Sequence, residues 1–246
     1  METTQPESSF STILINVFSA PSEAAMSLKD GKPSTSTWLV PFLLTCAIVV
    51  LFSYLFATNA TFHQQMVDIQ NEQLQKQVES GALTQERADQ AREGFENLSP
   101  AVFVAIGSVA GSFFVGLFFF GAALVLWLVA KYALHATQGY GKYLELYGAS
   151  ALIGFVGAIV TLALMMGLNT MYASPSAALA VLNDFNPMNK THKLLAALNV
   201  FSIWQAVFIG GGLSKFSGKS SAVGIGTALG LFAAWTVVSV MLNIGR

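Results

Sequence analysis

From Pro100 to Ala130 the chain runs about 31 residues without one charged side chain. An uncharged apolar run of that length belongs in the hydrocarbon of a bilayer, crossed as a helix because only a helix satisfies its own backbone there. At 1.5 Å per residue the run reaches roughly 46 Å, so it is expected to tilt or to project beyond the hydrocarbon core of ~30 Å. The rest of the composition agrees: 54% of residues are hydrophobic and 10% charged, against about a quarter charged in soluble domains. A net charge of -1 with scattered basic residues offers no surface for nucleic acid.

Four further spans are expected: Trp38 to Ala57, Leu146 to Tyr172, one starting near Leu194, and Ala222 to Leu242. The last two, joined by a tight turn from Lys215 to Lys219, form the hairpin around which the others are organised, with Gly210-Gly211-Gly212 near its bend. Small residues four apart, Gly107 with Gly111 and Gly226 with Gly230, predict close helix packing within the chain or between copies, so a homo-oligomer is one expected assembly. Cys46 is the single cysteine, so no intrachain disulfide forms.

Residues 1–36 read as a tail and an interfacial segment. Met1 to Ser9 is acidic and polar, unlike a cleaved signal peptide, so the first span is expected to stay as an anchor. Phe10, Ile13, Leu14, Val17 and Phe18 then recur at helical spacing, which predicts an amphipathic helix lying on the membrane. Pro21 suits the first turn of a second short helix ending near Lys29, and Trp38 is placed as an interfacial anchor. Within the membrane domain, residues 37–246, the Gln- and Glu-rich stretch 59–98 predicts an extramembrane helical hairpin broken at Ser80-Gly81, with Thr84 as N-cap. A short interfacial turn of helix is expected over Ser176 to Asn183.

Five spans place the termini on opposite sides. With the N-terminus inside, Lys29, Lys32, Lys131, Lys142, Lys215 and Lys219 are cytoplasmic, balanced by Lys76, Arg87, Arg92, Lys190, Lys193 and Arg246. Lys76 lies far from either span and counts for less, which tips the balance toward N-inside.

Chemistry at membrane depth normally requires ionisable groups, and the five expected spans contain none. That weighs against a membrane hydrolase or proton pump, and no catalytic residue or cofactor is expected. His63, His135 and His192 fall in three separate extramembrane segments, read as surface residues and not as metal ligands. Asn199, Ser202 and Gln205 lie near one face of the fourth span, either as interhelical hydrogen-bonding groups worth about 0.5–2 kcal/mol each or as a polar ligand or lipid-headgroup site.

The order of parts resembles the Yip1 family of five-span membrane proteins, particularly its bacterial members. The resemblance is carried by Val17-Phe18-Ser19-Ala20-Pro21-Ser22 before Trp38 and Pro41, by Gly139-Tyr140-Gly141-Lys142-Tyr143 leading to Tyr147-Gly148, and by Leu198 to Trp204 followed by Gly212-Leu213-Ser214. The chain departs from the family in lacking a proline at Ser150-Ala151-Leu152 and the acidic Tyr-Gly-Pro motif, and in carrying the 59–98 insertion. The resemblance implies a bacterial inner-membrane protein with a cytoplasmic N-terminus and a non-enzymatic role in membrane organisation or trafficking. The expectation is therefore an all-α, polytopic, non-catalytic scaffold in contact with the lipid bilayer, recruiting a protein partner through 59–98; the alternative is a small-molecule or lipid transporter using the fourth span.

Overall fold

A computed structural model describes residues 10–242; the expected N-terminal tail, Met1 to Ser9, and Arg246 lie outside them. The described residues are helical, with no strand and one isolated antiparallel bridge, between Ser176 and Asn199. Two short helices, α1 (Phe10–Ser19) and α2 (Pro21–Asp30), precede α3 (Ser36–Thr58), and then α4 (Ala60–Glu79) and α5 (Gln85–Glu96) lead to α6 (Pro100–Tyr132). After α7 (Tyr140–Leu168) come a 3-10 turn over Ala177–Asp184, α8 (Lys190–Ala197), α9 (Val200–Ser217) and α10 (Ser221–Met241).

Four of these, α3, α6, α7 and α10, are long and apolar enough to cross a membrane. The remaining expected span differs. It does not start near Leu194 as one helix but is divided: α8 ends at Ala197, and α9 begins at Val200 with only 18 residues that include Gln205 and Lys215. The break is stabilised by pairing with the connection after α7, since Val200 donates its N–H to the Pro175 carbonyl at 3.0 Å and Ala177 donates to the Leu198 carbonyl at 3.2 Å. Asn199 then caps α9 through its side chain, accepting from the Phe201 and Ser202 amides.

Helix registers follow from close approaches at glycine. In the antiparallel pair α3/α6, a Cβ at Gly107 would stand 2.9 Å from the Ser53 hydroxyl oxygen, and one at Gly111 would stand 2.5 Å from Val49 Cγ1. In the parallel pair α3/α7, a Cβ at Gly148 would meet the Trp38 Cα at 2.5 Å. Helix α9 runs antiparallel to α7, with Phe201 against Gly157, Gln205 against Gly154, Leu146 against Gly212 and Tyr143 against Phe216. Between α9 and α10 the contact is backbone on backbone, at Gly210 and Gly224. Gly226 and Gly230, expected to pack, meet nothing within 4 Å. They lie on the opposite side of α10 from the Gly224 contact.

Candidate functional site

Residue by residue, the polar face expected on the fourth span separates into different tasks. Asn199 is consumed as the α9 cap and is not on an interhelical face. Ser202, on the first turn of α9, is half-buried. Gln205 alone reaches across, its Nε2 donating to the Ser150 hydroxyl at 3.2 Å, and Ser150 in turn donates to the Tyr147 carbonyl. Ser150 is fully buried. The Ser150 hydroxyl is what gives Gln205 a partner in α7. Gln205 also borders a lateral groove of about 360 Å³, walled by Thr45, Gly111, Phe118, Tyr147 and Gly154.

A second polar cluster was hidden from the sequence reading, which ended the loop at Glu145 and began the span at Leu146. The structure starts α7 at Tyr140, so Lys142 and Glu145, expected in the loop, belong to the opening turns of the same helix as the apolar run. Three residues apart, they face the same side and pair at 3.1 Å, with side chains 13% and 4% exposed. Both reach the link between α2 and α3. The Ser34 amide donates to Glu145 at 2.6 Å, and the Lys142 ammonium donates to the Gly31 carbonyl at 2.6 Å. The pair is thus an ionic clip, satisfying the chain's own backbone.

The clip fixes the end of the N-terminal helices. These are not a free amphipathic helix: Ile13 and Val17 are buried in the bundle core with Ala24 and Leu28, beside Tyr143, Leu146 and Leu213. Leu14 packs against the same core and Phe10 is half-buried. Phe18 is 37% exposed and sets its ring edge-on to Trp204, centroids 5.8 Å apart. Trp38 packs edge-on against Phe120 at 5.7 Å.

The hairpin 59–98 resolves into α4 and α5, joined through a turn in which Gly81 takes φ 74°, at the break predicted from Ser80-Gly81. Thr84 caps α5 by accepting from Arg87 N–H, and Arg92 bridges the two helices to Gln75 at 3.4 Å. Gln65 mounts the hairpin on the far loop, donating to Thr170 at 3.4 Å and accepting from the Met171 amide at 2.8 Å. His63 is not the surface residue expected: its ring stacks on Phe95 with Phe103 edge-on, and its Nδ1 is buried. His192, through Nδ1, accepts from the Asn186 amide at 3.0 Å. Among the described residues no three His, Cys, Asp or Glu side chains stand together as a metal site. On the same face, Tyr172 has its phenol held above the usual range, chiefly by burial and then by the nearby negative charges of Asp68 and Glu72.

Comparison with known proteins closes the identification. The chain is similar to the membrane protein YknW of Bacillus subtilis (strain 168), 25% identical over 207 residues that cover 83% of this chain and 80% of the relative. No solved structure matches. The sequence pattern of the Yip1 domain matches residues 15–244, from the middle of α1 to beyond α10, and the chain belongs to the Yip1 family of membrane proteins.

Proposed function

We propose that this chain is a non-catalytic membrane scaffold of a bacterial inner membrane, N-terminus cytoplasmic, with α9 as its fifth span and α4–α5 as an extramembrane platform for a protein partner. The observation that carries the reading is the mounting of the hairpin. Gln65 fixes α4 to the loop at Thr170 and Met171, Arg92 ties α5 to α4, and the outward residues of both helices are left polar and exposed. A rigid platform of that kind presents a surface at little entropic cost on binding.

The orientation is supported by charge. The end of the bundle with the starts of α3 and α7 holds six lysines and, among the described residues, three acidic groups, Glu23, Asp30 and Glu145. Among the described residues the opposite end holds five basic residues, of which Lys76 stands far from either neighbouring span and counts for less. The basic end belongs in the cytoplasm.

The test is photocrosslinking in native membranes from Gln73 and Arg87, with lipid-facing Val237 as control. Discrete protein adducts from the two hairpin positions and none from Val237 are expected; no adduct from either hairpin position sinks the recruiting role. One observation favours a second reading, a transporter: the groove beside Gln205. In a Cys46→Ser background, Gln205→Cys protected from water-soluble thiol reagents supports the scaffold, whereas rapid labelling supports a hydrated pathway.

A further inference from the structure

We propose that α1 and α2 form a wedge seated in one leaflet of the bilayer, the leaflet at the lysine-rich end, with anionic lipid as its partner. The inference deepens the scaffold reading, on which it rests, by naming what the N-terminal helices touch. The geometry begins with what they do not leave free. Ile13, Val17, Ala24 and Leu28 are committed to the bundle, so the wedge is a fixed part of the fold and not a segment that comes and goes.

What remains outward includes Ile15, 65% exposed, Met26, 40%, and Phe18, 37%, set among exposed Ser11, Thr12 and Ser19 on α1 and Ser22, Glu23 and Asp30 on α2. Depth follows from the helix registers. Trp38 lies against Gly148 of α7, while Gln205, next to Trp204, lies against Gly154. Trp204 and the Phe18 ring on it are therefore about 9 Å further into the bundle than Trp38, at 1.5 Å per residue. That matches the ~5–10 Å at which an interfacial helix buries its apolar face. Each helix has ten residues, about 15 Å, which reaches no further than half of the hydrocarbon core. The chain then returns to the Lys142–Glu145 clip through Gly31 and Ser34.

Charge identifies the leaflet. Lys29 ends α2, and Lys131, Lys215 and Lys219 stand at the same end of the bundle, so the wedge enters beside a basic rim that attracts anionic headgroups. Glu23 and Asp30 on α2 are both exposed; Asp30 stands at the clip end of the helix, next to Gly31. The consequence is a cross-section enlarged in one leaflet only.

The experiment uses the full chain, Cys46→Ser, in phosphatidylcholine/phosphatidylglycerol liposomes. A nitroxide at Ile15→Cys is compared with one at Leu117→Cys, lipid-facing on α6, and one at Glu86→Cys on the hairpin. Oxygen-dominated relaxation at Ile15→Cys, shallower than at Leu117→Cys, is expected; nickel-chelate accessibility equal to that of Glu86→Cys overturns the wedge while leaving the crosslinking test of the scaffold untouched. A fluorophore at Met26→Cys should be quenched about twofold or more strongly by nitroxide phosphatidylglycerol than by nitroxide phosphatidylcholine. Equal quenching overturns the anionic partner.

Discussion

Gly210 of α9 and Gly224 of α10 bring two backbones into direct contact: a Cβ on Gly210 would meet the Ile225 Cα and the Gly224 carbonyl oxygen. Neither obstacle is a side chain that can rotate away. Gly210→Ala or Gly224→Ala must therefore push the helices apart, costing about 1–3 kcal/mol as overpacking does. Gly226→Ala and Gly230→Ala, with open space around them, should match the parent protein. Thermal unfolding in detergent separates the two pairs, and equal melting of all four variants would refute the crossing.

The ionic clip makes an asymmetric prediction. Removing one partner leaves the other buried: Lys142→Met strands Glu145, whose side chain is 4% exposed, and a stranded buried charge costs about 3–5 kcal/mol. The double variant Lys142→Met/Glu145→Met loses the charge altogether and should be milder than Lys142→Met alone. Thermal unfolding in detergent reads the outcome, while proteolysis of the 31–35 link should rise in every variant, since each loses a hold on Gly31 or Ser34. A double variant worse than both single ones would contradict the pairing.

At the α7/α9 interface, Gln205→Leu and Ser150→Ala should show a coupling of about 0.5–2 kcal/mol in a double-mutant cycle, the range for hydrogen bonds between membrane helices. Asn199→Ala should behave independently of both, because Asn199 serves the α9 amides; loss of its cap costs about 0.5–2 kcal/mol. Coupling of Asn199 to Ser150 would restore the single polar face that the sequence suggested.

Tyr172 supplies a pH dependence. Its phenol is held above the ordinary value of 10.0 by burial, Asp68 and Glu72, so the unfolded chain ionises first as pH rises. The associated stability is complete below about pH 10 and is lost as pH climbs through the higher folded value. In ultraviolet titrations read against Tyr172→Phe, Asp68→Asn with Glu72→Gln should move the transition downward. No movement would place those carboxylates away from the ring.

Much of this architecture was legible in one dimension. Uncharged runs 20 to 30 residues long allow no fold but membrane-crossing helices, because hydrocarbon leaves an unpaired backbone no partner; α3, α6, α7 and α10 follow from that alone. The α4–α5 break, the Thr84 cap and the short turn before α8 were likewise local, set by Gly81, Thr84 and Ser176 at their own positions. Tertiary structure decided what depends on a neighbour. Hydropathy cannot say that the chain breaks at Leu198, since the break is held by Pro175 and Ala177 in the connection after α7. Nor can it say which glycines are crossings: Gly226 and Gly230 have the spacing, yet Gly210 and Gly224 have the partner. Lys142 and Glu145 looked like a polar loop because their charges are offset by backbone groups more than a hundred residues away in sequence. Periodicity reports which face of a helix is apolar; whether that face meets lipid or protein, as Ile13 and Val17 meet the bundle and Ile15 does not, is set by the packing of the other helices.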